Sequence, residues 1–355
     1  MTHPDFPFES RFVSVDGQRL HYVDEGRGEP ILMLHGNPTW SYLYRHFIRD
    51  LRGDFRCLAL DHLGYGYSEK PPHGDYSMRA HIMRLQGVVS KLGLKDLTLV
   101  VQDWGGIIGL GWAARNKHLV KRLVIMNTTG FPLPSRRTLL EMKPKPWGLL
   151  MLYPLKLPGL GEAFVQGANG FVKGLLPAGI HHRERLDSAA MRGYLDPYPT
   201  WGSRRAHLAS VRQIPLSPRH PTWRLLQEIG AELDRWTVPT QLVWGMRDPV
   251  FVPWFLEEFE RRLPPGERNA RTGDEGELEF AGLIDHLLGF LPVVGEVLVV
   301  VHGHGSPVFL EHFHALFEEL VARIEHLAFV VARVVAMLPD QQYGIDGKLV
   351  SAATQ

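Results

Sequence analysis

Residues 97–109, LTLVVQDWGGIIG, decide the fold of this chain. The largely apolar run 97–101 predicts a buried strand, and Gly105 and Gly106, followed by apolar residues, predict a helix close behind it. Asp103 lies on the turn between the two. A strand-to-helix turn presents one side chain above the sheet, and small neighbours let the strand and the helix approach each other. The stretch therefore predicts an α/β fold with Asp103 at its chemically important turn.

Asp103 has two interpretations. Aspartate is a favoured helix N-cap, so the residue could serve local structure alone. As a nucleophile it needs no activating base, because a carboxylate is already charged at neutral pH and can displace a leaving group from saturated carbon. Trp104 follows directly, and its indole N–H is a donor without an acceptor function. The motifs described below favour the nucleophile.

Composition limits the classes of function. The chain has 355 residues, 45% of them hydrophobic, and a formal charge of +1, which suits a large cored domain, alone or with an insertion. Without a basic block, nucleic acid is not an expected partner. Cys57 is the only cysteine, so we expect no disulfide framework, no thiolate metal site and a cytoplasmic setting. Neither a signal peptide nor a transmembrane segment is expected.

Strands and helices alternate along the first part of the chain. A hairpin is predicted around Asp16 and Gly17, and a helix over 76–94. Buried strands are predicted at PILMLHG (30–36), FRCLALD (55–61), LTLVVQD (97–103) and RLVIMN (122–127). This order predicts a mostly parallel central sheet with helices on both faces. Ligands bind at the carboxyl ends of such strands, where Asn37, Asp103 and Asn127 fall.

The alternation stops after Asn127, which predicts an inserted helical cap. We place the first part of the core at 1–127, the cap at 128–235, the second part of the core at 236–326 and a C-terminal extension at 327–355. The second part opens with a strand in VPTQLVWGMRDP (238–249) and an amphipathic helix at 253–263. Beyond residue 265 it is atypical: a charged loop at 266–279 precedes a last predicted strand, EVLVVV (296–301).

Four motifs together resemble the haloalkane dehalogenases of the α/β-hydrolase fold: HGNPTWSYLYR (35–45), DHLGYGYSEKP (61–71), VVQDWGG (100–106) and LVWGMRDP (242–249). The resemblance covers roughly residues 10–264. An acidic residue after the late strand, combined with asparagine in HGNP, is similar to the third subfamily. The cap segments NGF (169–171), YPTW (198–201) and IPLSPRHPTW (214–223) look like the related β-lactone decarboxylases of long-chain olefin biosynthesis.

The resemblance implies a role for each motif. Asp103 would be the nucleophile, and the Asn37 amide and the Trp104 indole would hold the leaving anion or halide. Two neutral donors suit this role, because they stabilise charge that appears only as the bond breaks. Backbone N–H groups near Asn37 and Trp104 would form the oxyanion hole, and Asp248 would be the acid that orients a histidine. Asn37 and Asp248 also suit turns, since a proline follows each.

The histidine is where the sequence departs from the family. An A-G-H segment is expected about 30 residues beyond Asp248, as the resemblance implies, and none occurs there. His304 is the first candidate, because a predicted strand precedes it and an amphipathic segment follows. His286 is second and closer to the expected spacing, and His302 is third. His35 is expected to be structural. Without a working histidine the protein would alkylate itself once and stop.

Four functions follow from these observations. The leading one is haloalkane dehalogenation, and the close alternative is β-lactone decarboxylation, which yields a long-chain olefin. An epoxide hydrolase would require two tyrosines to face Asp103, whereas Tyr153, Tyr194 and Tyr198 are expected to pack the cap, and Asn37 argues against it. A non-catalytic binding protein is the fourth.

We expect a small apolar organic substrate. Neither a metal nor a cofactor is needed for displacement by a carboxylate and hydrolysis by water. The resemblance also implies a homo-oligomer, or assembly with other olefin-pathway enzymes. The apolar segment 147–161 and the tail beyond residue 287 are expected to be buried in the core, with an oligomer interface or membrane-surface contact as alternatives.

Overall fold

The computed structural model describes residues 3–132, 147–180, 186–215, 217–263 and 270–272. In this part of the chain, eight strands form one sheet in the order β1-β2-β4-β3-β5-β6-β7-β8. The strands are β1 (Arg11–Val15), β2 (Gln18–Glu25), β3 (Pro30–Leu34), β4 (Arg56–Leu60), β5 (Leu97–Gln102), β6 (Val120–Met126), β7 (Thr240–Gly245) and β8 (Ala270–Thr272). β1 and β2 are antiparallel to their neighbours, and β3 to β8 are mutually parallel. The predicted α/β-hydrolase fold, with its mostly parallel sheet, is confirmed.

The described α-helices surround this sheet. They are α1 (Arg45–Leu51), α2 (Met78–Lys91), α3 (Trp104–Ala113), α4 (Trp147–Leu152), α5 (Leu176–Gly179), α6 (Ser188–Leu195), α7 (Arg205–Gln213), α8 (Pro221–Leu233) and α9 (Pro253–Arg262). α2 begins where the Ser77 hydroxyl accepts a hydrogen bond from the backbone N–H of Ala80 (3.3 Å). None of the helices in these described ranges is long and apolar enough to span a bilayer.

The sheet is buried on both faces. Alternate side chains of one strand point in opposite directions, and β3 shows the result. Leu32 and Leu34 join an apolar cluster with residues of α2, α3, α8 and α9, whereas Ile31 and Met33 join a second cluster with α1. Helices therefore cover both faces, which explains why the strand sequences read as continuous apolar runs.

The stretch between β6 and β7 contains α4 to α8, together with short 3₁₀ and π segments. These helices fall within the range 128–235 predicted as the cap. α6 begins with the Asp187 carboxylate accepting from the Ala190 N–H (2.7 Å). α7 is buried along one side through Ala206, His207 and Ser210. That face of α7 reaches the candidate site.

The prediction for residues 266–279 was wrong in one respect. A loop was expected there, but Ala270–Thr272 form β8, which pairs in parallel with β7. Among the described strands β8 lies at the edge of the sheet and pairs only with β7, and its short sequence, Ala-Arg-Thr, lacks the apolar pattern that marks a buried strand. The strand predicted at 296–301 lies outside the described residues.

Candidate active site

Asp103 lies on a strained turn between β5 and α3. Its backbone has φ of +51° and ψ of −125°, outside the regions that non-glycine residues favour. The turn is fixed on both sides, because the Asp103 N–H donates to the Asn127 carbonyl (3.0 Å) and the Thr128 hydroxyl donates to the Asp103 carbonyl (2.5 Å). The Asp103 side chain makes no N-cap hydrogen bond to α3. The carboxylate therefore does not form the usual N-cap hydrogen bond, which argues against a simple N-cap role.

Glycines make room for this turn. A Cβ on Gly36 would lie 2.2 Å from Asp103 Oδ1, so only glycine leaves the carboxylate in place. A Cβ on Gly105 would lie 2.2 Å from the Leu34 carbonyl oxygen, which shows how closely α3 approaches β3. These contacts explain physically why small residues flank Asp103 in the sequence.

Two backbone amides converge on the Asp103 carboxylate. The Asn37 N–H donates to Oδ1 (2.7 Å), and the Trp104 N–H donates to the same carboxylate. Burial is the main cause that raises the pKa of Asp103 to about 7, and the nearby charge of Asp248 adds to it. The two amides oppose this shift because they stabilise the ionised form. A partly buried anion held by only neutral donors is a poorly solvated one.

The two residues whose backbone amides bind this carboxylate, Asn37 and Trp104, also carry the side chains predicted to hold the leaving group. Asn37 follows β3, and Trp104 is the first residue of α3, so both lie at the carboxyl edge of the parallel strands. The Asn37 Nδ2 donates to the His207 carbonyl (3.4 Å), and the Tyr65 hydroxyl lies 3.4 Å from Asn37 Oδ1. Both predicted leaving-group residues are therefore the residues whose backbone amides hold Asp103.

Asp248 follows β7 and is held by a local turn. Its Oδ1 accepts from the backbone N–H of Val250 (2.7 Å) and of Phe251 (2.9 Å), and the Asn127 side chain also donates to its carboxylate. Burial raises its pKa, while these three donors lower it. The charge of Asp248 contributes to the raised pKa of Asp103. Asp248 thus takes a turn conformation, as the alternative interpretation expected, and it interacts electrostatically with Asp103.

Asn127 is a residue of this group for which no role was predicted from the sequence. Its amide pairs with Gly245 in both directions, accepting from the Gly245 N–H (2.8 Å) and donating to the Gly245 carbonyl (3.1 Å). It therefore links the end of β6 to the turn that carries Asp248. Its position at a strand end was visible in the sequence, but the pairing across two strands separated by the cap was not. Tyr65 was missed for the same reason.

The three candidate histidines His304, His286 and His302 lie outside the described residues. His35 is structural, as expected: its Nδ1 donates to the Gly36 carbonyl (2.8 Å), and its Nε2 accepts from the His62 N–H (3.1 Å). Burial lowers its pKa, so the ring is neutral in this arrangement.

The cap histidine His207 is fully buried over Asn37, and both of its ring nitrogens lack a hydrogen-bond partner in the described part of the chain. Burial, reinforced by nearby cationic side chains, lowers its pKa to about 3. A ring with so low a pKa is a weak base, so His207 does not suit the water-activating role.

Comparisons with known proteins place this geometry in a family. A profile of the alpha/beta hydrolase fold matches residues 29–279, and the chain belongs to that family. A cis-3-alkyl-4-alkyloxetan-2-one decarboxylase of Shewanella oneidensis is 38% identical over 262 residues, 73% of this chain and 79% of that protein. Haloalkane dehalogenase 2 of Mycobacterium bovis is 40% identical over 248 residues, 70% of this chain and 81% of that protein.

Solved structures agree with these relatives. The haloalkane dehalogenase DatA from Agrobacterium tumefaciens superposes with a TM-score of 0.68 at 30% sequence identity, over 79% of this chain and 96% of that one. The chain is therefore an α/β-hydrolase-fold enzyme of the haloalkane dehalogenase type, as the sequence motifs predicted. Both kinds of relative named in the sequence analysis are found among its homologues.

Proposed function

We propose that Asp103 forms an ester with a saturated carbon of the substrate, and that the reaction is haloalkane hydrolysis to an alcohol, a halide and a proton. One observation carries the proposal: a carboxylate on a strained turn is held by the backbone amides of Asn37 and Trp104, whose side chains are the proposed leaving-group donors. A carboxylate so placed is suited to attack on carbon rather than to deprotonation of a hydroxyl.

The first step is a displacement. An Asp103 oxygen forms a bond to the carbon as the carbon–halogen bond breaks, and the electron pair of that bond leaves with the halide. The Asn37 Nδ2–H and the Trp104 indole N–H hold the departing anion. Because both donors are neutral, they stabilise the new charge without competing for the carboxylate as a cation would.

The second step is ester hydrolysis. Water attacks the Asp103 carbonyl carbon, a histidine takes the proton, and the alcohol leaves while the carboxylate is restored. The backbone N–H groups of Asn37 and Trp104, which bind the carboxylate in the resting protein, serve as the oxyanion hole. Asp248 orients the histidine and stabilises its charged form.

We propose that the histidine comes from the chain beyond β8. His304 is the candidate that the sequence favours, partly because a strand was predicted before it. β8 is the last strand in the part of the chain that the structure describes and ends at Thr272, and the next histidine in the sequence is His286. The two are therefore tested side by side, with His302 as the third.

A second candidate function is β-lactone decarboxylation. Here Asp103 attacks the ring carbon that bears the lactone oxygen, and the carbon–oxygen bond breaks to release a carboxylate. Loss of carbon dioxide then expels the Asp103 carboxylate and leaves an alkene, so turnover needs no water. The cap segments 169–171, 198–201 and 214–223 favour this candidate, as do the relatives named oxetan-2-one decarboxylases.

The epoxide hydrolase has less support. That reaction needs phenols aimed at the ester-forming carboxylate, but the Tyr198 hydroxyl accepts from the Gly66 N–H (2.9 Å) and Tyr194 interacts with Arg45 and Tyr42. Both tyrosines are buried packing residues.

We also propose that residues 128–235 cover the site and bind a small apolar substrate, that the protein acts in the cytoplasm, and that it works as a homo-oligomer or beside other olefin-pathway enzymes. The tyrosine packing described above and the contact of α7 with Asn37 support the covering role.

The test is intact-mass analysis after exposure to a bromoalkane and, separately, to a long-chain β-lactone. Wild type, His304→Phe, His286→Phe and His302→Phe are compared, with Asp103→Asn as the control that cannot form the ester. We expect wild-type turnover with one substrate, and a stable alkyl adduct on Asp103 with the bromoalkane in one histidine variant only.

Each outcome is informative. Release of an alcohol and a halide supports the dehalogenase, and release of an alkene and carbon dioxide supports the decarboxylase. Ligand binding without an adduct or a product would support the non-catalytic binding protein and contradict ester formation.

A further inference from the structure

Contacts with α7 and with Tyr65 orient the side-chain amide of Asn37. Its Nδ2 donates to the carbonyl of His207 on α7 (3.4 Å), and its Oδ1 lies 3.4 Å from the Tyr65 hydroxyl. His207 is completely buried and Tyr65 is 3% exposed, so bulk water does not compete for these contacts. His207 and Tyr65, which take no part in the proposed reaction, therefore determine which end of the Asn37 amide faces the substrate.

The Tyr65 hydroxyl joins the core to the cap. It lies 2.6 Å from the Ser210 hydroxyl and 3.1 Å from the Ala206 carbonyl, and both residues belong to α7. Ser210 can donate to the phenolic oxygen, which leaves the single phenolic proton for Asn37 Oδ1 or for the Ala206 carbonyl. Burial raises the pKa of Tyr65 above its usual value, so the hydroxyl stays protonated.

Orientation matters because the amide has a donor end and an acceptor end. Rotated by half a turn, Asn37 would direct its oxygen toward the departing anion and repel it. The same rotation would place that oxygen against the His207 carbonyl, which can only accept. The His207 carbonyl therefore selects the orientation with Nδ2 toward it, and the Tyr65 hydroxyl selects the same one when it donates its proton to Asn37 Oδ1, with one Nδ2 hydrogen left for the leaving group.

We propose that Tyr65 is a positioning residue, which holds the Asn37 amide with its N–H toward the leaving group and, through Ser210 and Ala206, couples that orientation to the seated cap. The proposal rests on the proposed function, because it assumes that Asn37 binds the leaving group. Tyr65 itself need not touch the substrate. Its effect should therefore appear in leaving-group stabilisation rather than in attack by Asp103.

The test is the rate of ester formation on Asp103 with matched chloro-, bromo- and iodoalkanes. We expect Tyr65→Phe to slow the reaction of the chloroalkane roughly tenfold, the effect of one net hydrogen bond, and that of the iodoalkane less. Chloride is the poorer leaving group and depends more on the donor. Inhibition by free bromide should weaken by a similar factor. Tyr76→Phe is the matched control, since it removes a hydroxyl that donates to the Pro71 carbonyl (2.7 Å) and leaves Asn37 untouched.

A double-variant comparison separates positioning from a general structural effect. In an Asn37→Ala background, Tyr65→Phe should no longer change the ratio of the chloroalkane and iodoalkane rates. An equal slowing of all three haloalkanes, or an unchanged effect in the Asn37→Ala background, would overturn the proposal. Should Tyr65→Phe fail to fold, Ser210→Ala is expected to change the same ratio in the same direction by a smaller factor.

Failure of the proposed function gives a different result. Wild-type protein that forms no ester with any haloalkane and does not open the β-lactone would remove both proposals at once. If only the β-lactone reacts, the rate of ring opening replaces the haloalkane series. Tyr65→Phe should then slow ring opening in the presence of Asn37 and not in the Asn37→Ala variant.

Discussion

Asp103 and Asp248 are both partly buried carboxylates at the carboxyl ends of parallel strands, but the chain holds them in different ways. Asp103 has a left-handed backbone and accepts N–H donors that come from the ends of β3 and β5. Asp248 accepts from residues two and three positions further along its own turn. One carboxylate is positioned by long-range packing and the other mainly by local sequence.

This difference suits two chemical roles. A nucleophile needs an exact direction of attack, and packing between separate elements fixes direction better than a single turn does. An orienting acid must remain charged and accept a hydrogen bond, which a local turn reinforced by Asn127 can provide. The comparison therefore predicts unequal responses when each carboxylate, or the packing around it, is changed.

The largest difference should come from removing each charge. Asp103→Asn should abolish ester formation, a loss of at least about 10⁴-fold in turnover, because the amide is not a nucleophile. Asp248→Asn should leave ester formation and slow hydrolysis by roughly 10²–10⁴-fold, because only the histidine step depends on it. Mass spectrometry should show no adduct in the first variant and accumulated adduct in the second.

Equal effects of Asp103→Asn and Asp248→Asn on adduct formation would contradict this division of roles between the two carboxylates. An adduct-free Asp248→Asn protein that folds normally would mean that Asp248 acts before the ester forms. The decarboxylase route would give a third pattern, in which Asp248→Asn still releases alkene, since that route bypasses water.

The packing around each carboxylate gives the next prediction. Gly36→Ala should lower the rate of ester formation by about 10²-fold or more, since the added Cβ would lie 2.2 Å from Asp103 Oδ1 and force the carboxylate to move. Gly245→Ala should change the rate of ester formation only slightly, because its Cβ would lie 3.5 Å from Asn127 Oδ1, an ordinary van der Waals contact. Single-turnover rates measure both, and equal losses would show that the Asp103 turn is no tighter than the Asp248 turn.

Local sequence explains how much of this arrangement was predictable. Asp103, Trp104 and the two glycines lie within four residues, so one strand-to-helix pattern placed them correctly. Asn37 and Asp248 lie shortly after apolar strands, which placed them at the carboxyl edge of the sheet, and the resemblance to a known family implied their roles. The Asn127 link and the Tyr65 contact join residues more than 25 positions apart, and no local pattern encodes such pairs. β8 was missed because a short polar edge strand has no apolar signature.

The pH dependence of ester formation tests the electrostatic side of the comparison. With the pKa of Asp103 raised to about 7, the ester-forming rate should fall about tenfold per unit below pH 7 as the carboxylate is protonated. Measuring adduct formation in the histidine variant avoids a contribution from the hydrolytic step. Asp248→Asn should shift this acid limb to lower pH, because the Asp248 charge helps to raise the pKa of Asp103. An unchanged limb would mean that the two carboxylates do not interact.

The smallest effect is expected in stability. The folded protein holds a proton on Asp103 up to about pH 7, whereas the unfolded chain releases it near 3.8, so between these values the folded state binds more protons. The free energy of unfolding should therefore decrease as the pH rises through this window. The Asp103→Asn protein lacks this titrating group, so its free energy of unfolding should not decrease in this way. The difference in free energy of unfolding between Asp103→Asn and wild type should therefore grow by roughly 2 kcal/mol between pH 5 and pH 8.

Urea unfolding at the two pH values measures this difference, and Asp54→Asn, an exposed loop change, serves as the matched control for the lost charge. The free energy of unfolding of Asp248→Asn, relative to wild type, should change with pH in the same direction, because burial raises the pKa of that carboxyl as well. An advantage of Asp103→Asn that stays constant from pH 5 to pH 8 would mean that the folded protein does not raise the pKa of its nucleophile. The strained turn would then position Asp103 without making it a poorly solvated anion, and attack would depend on geometry alone.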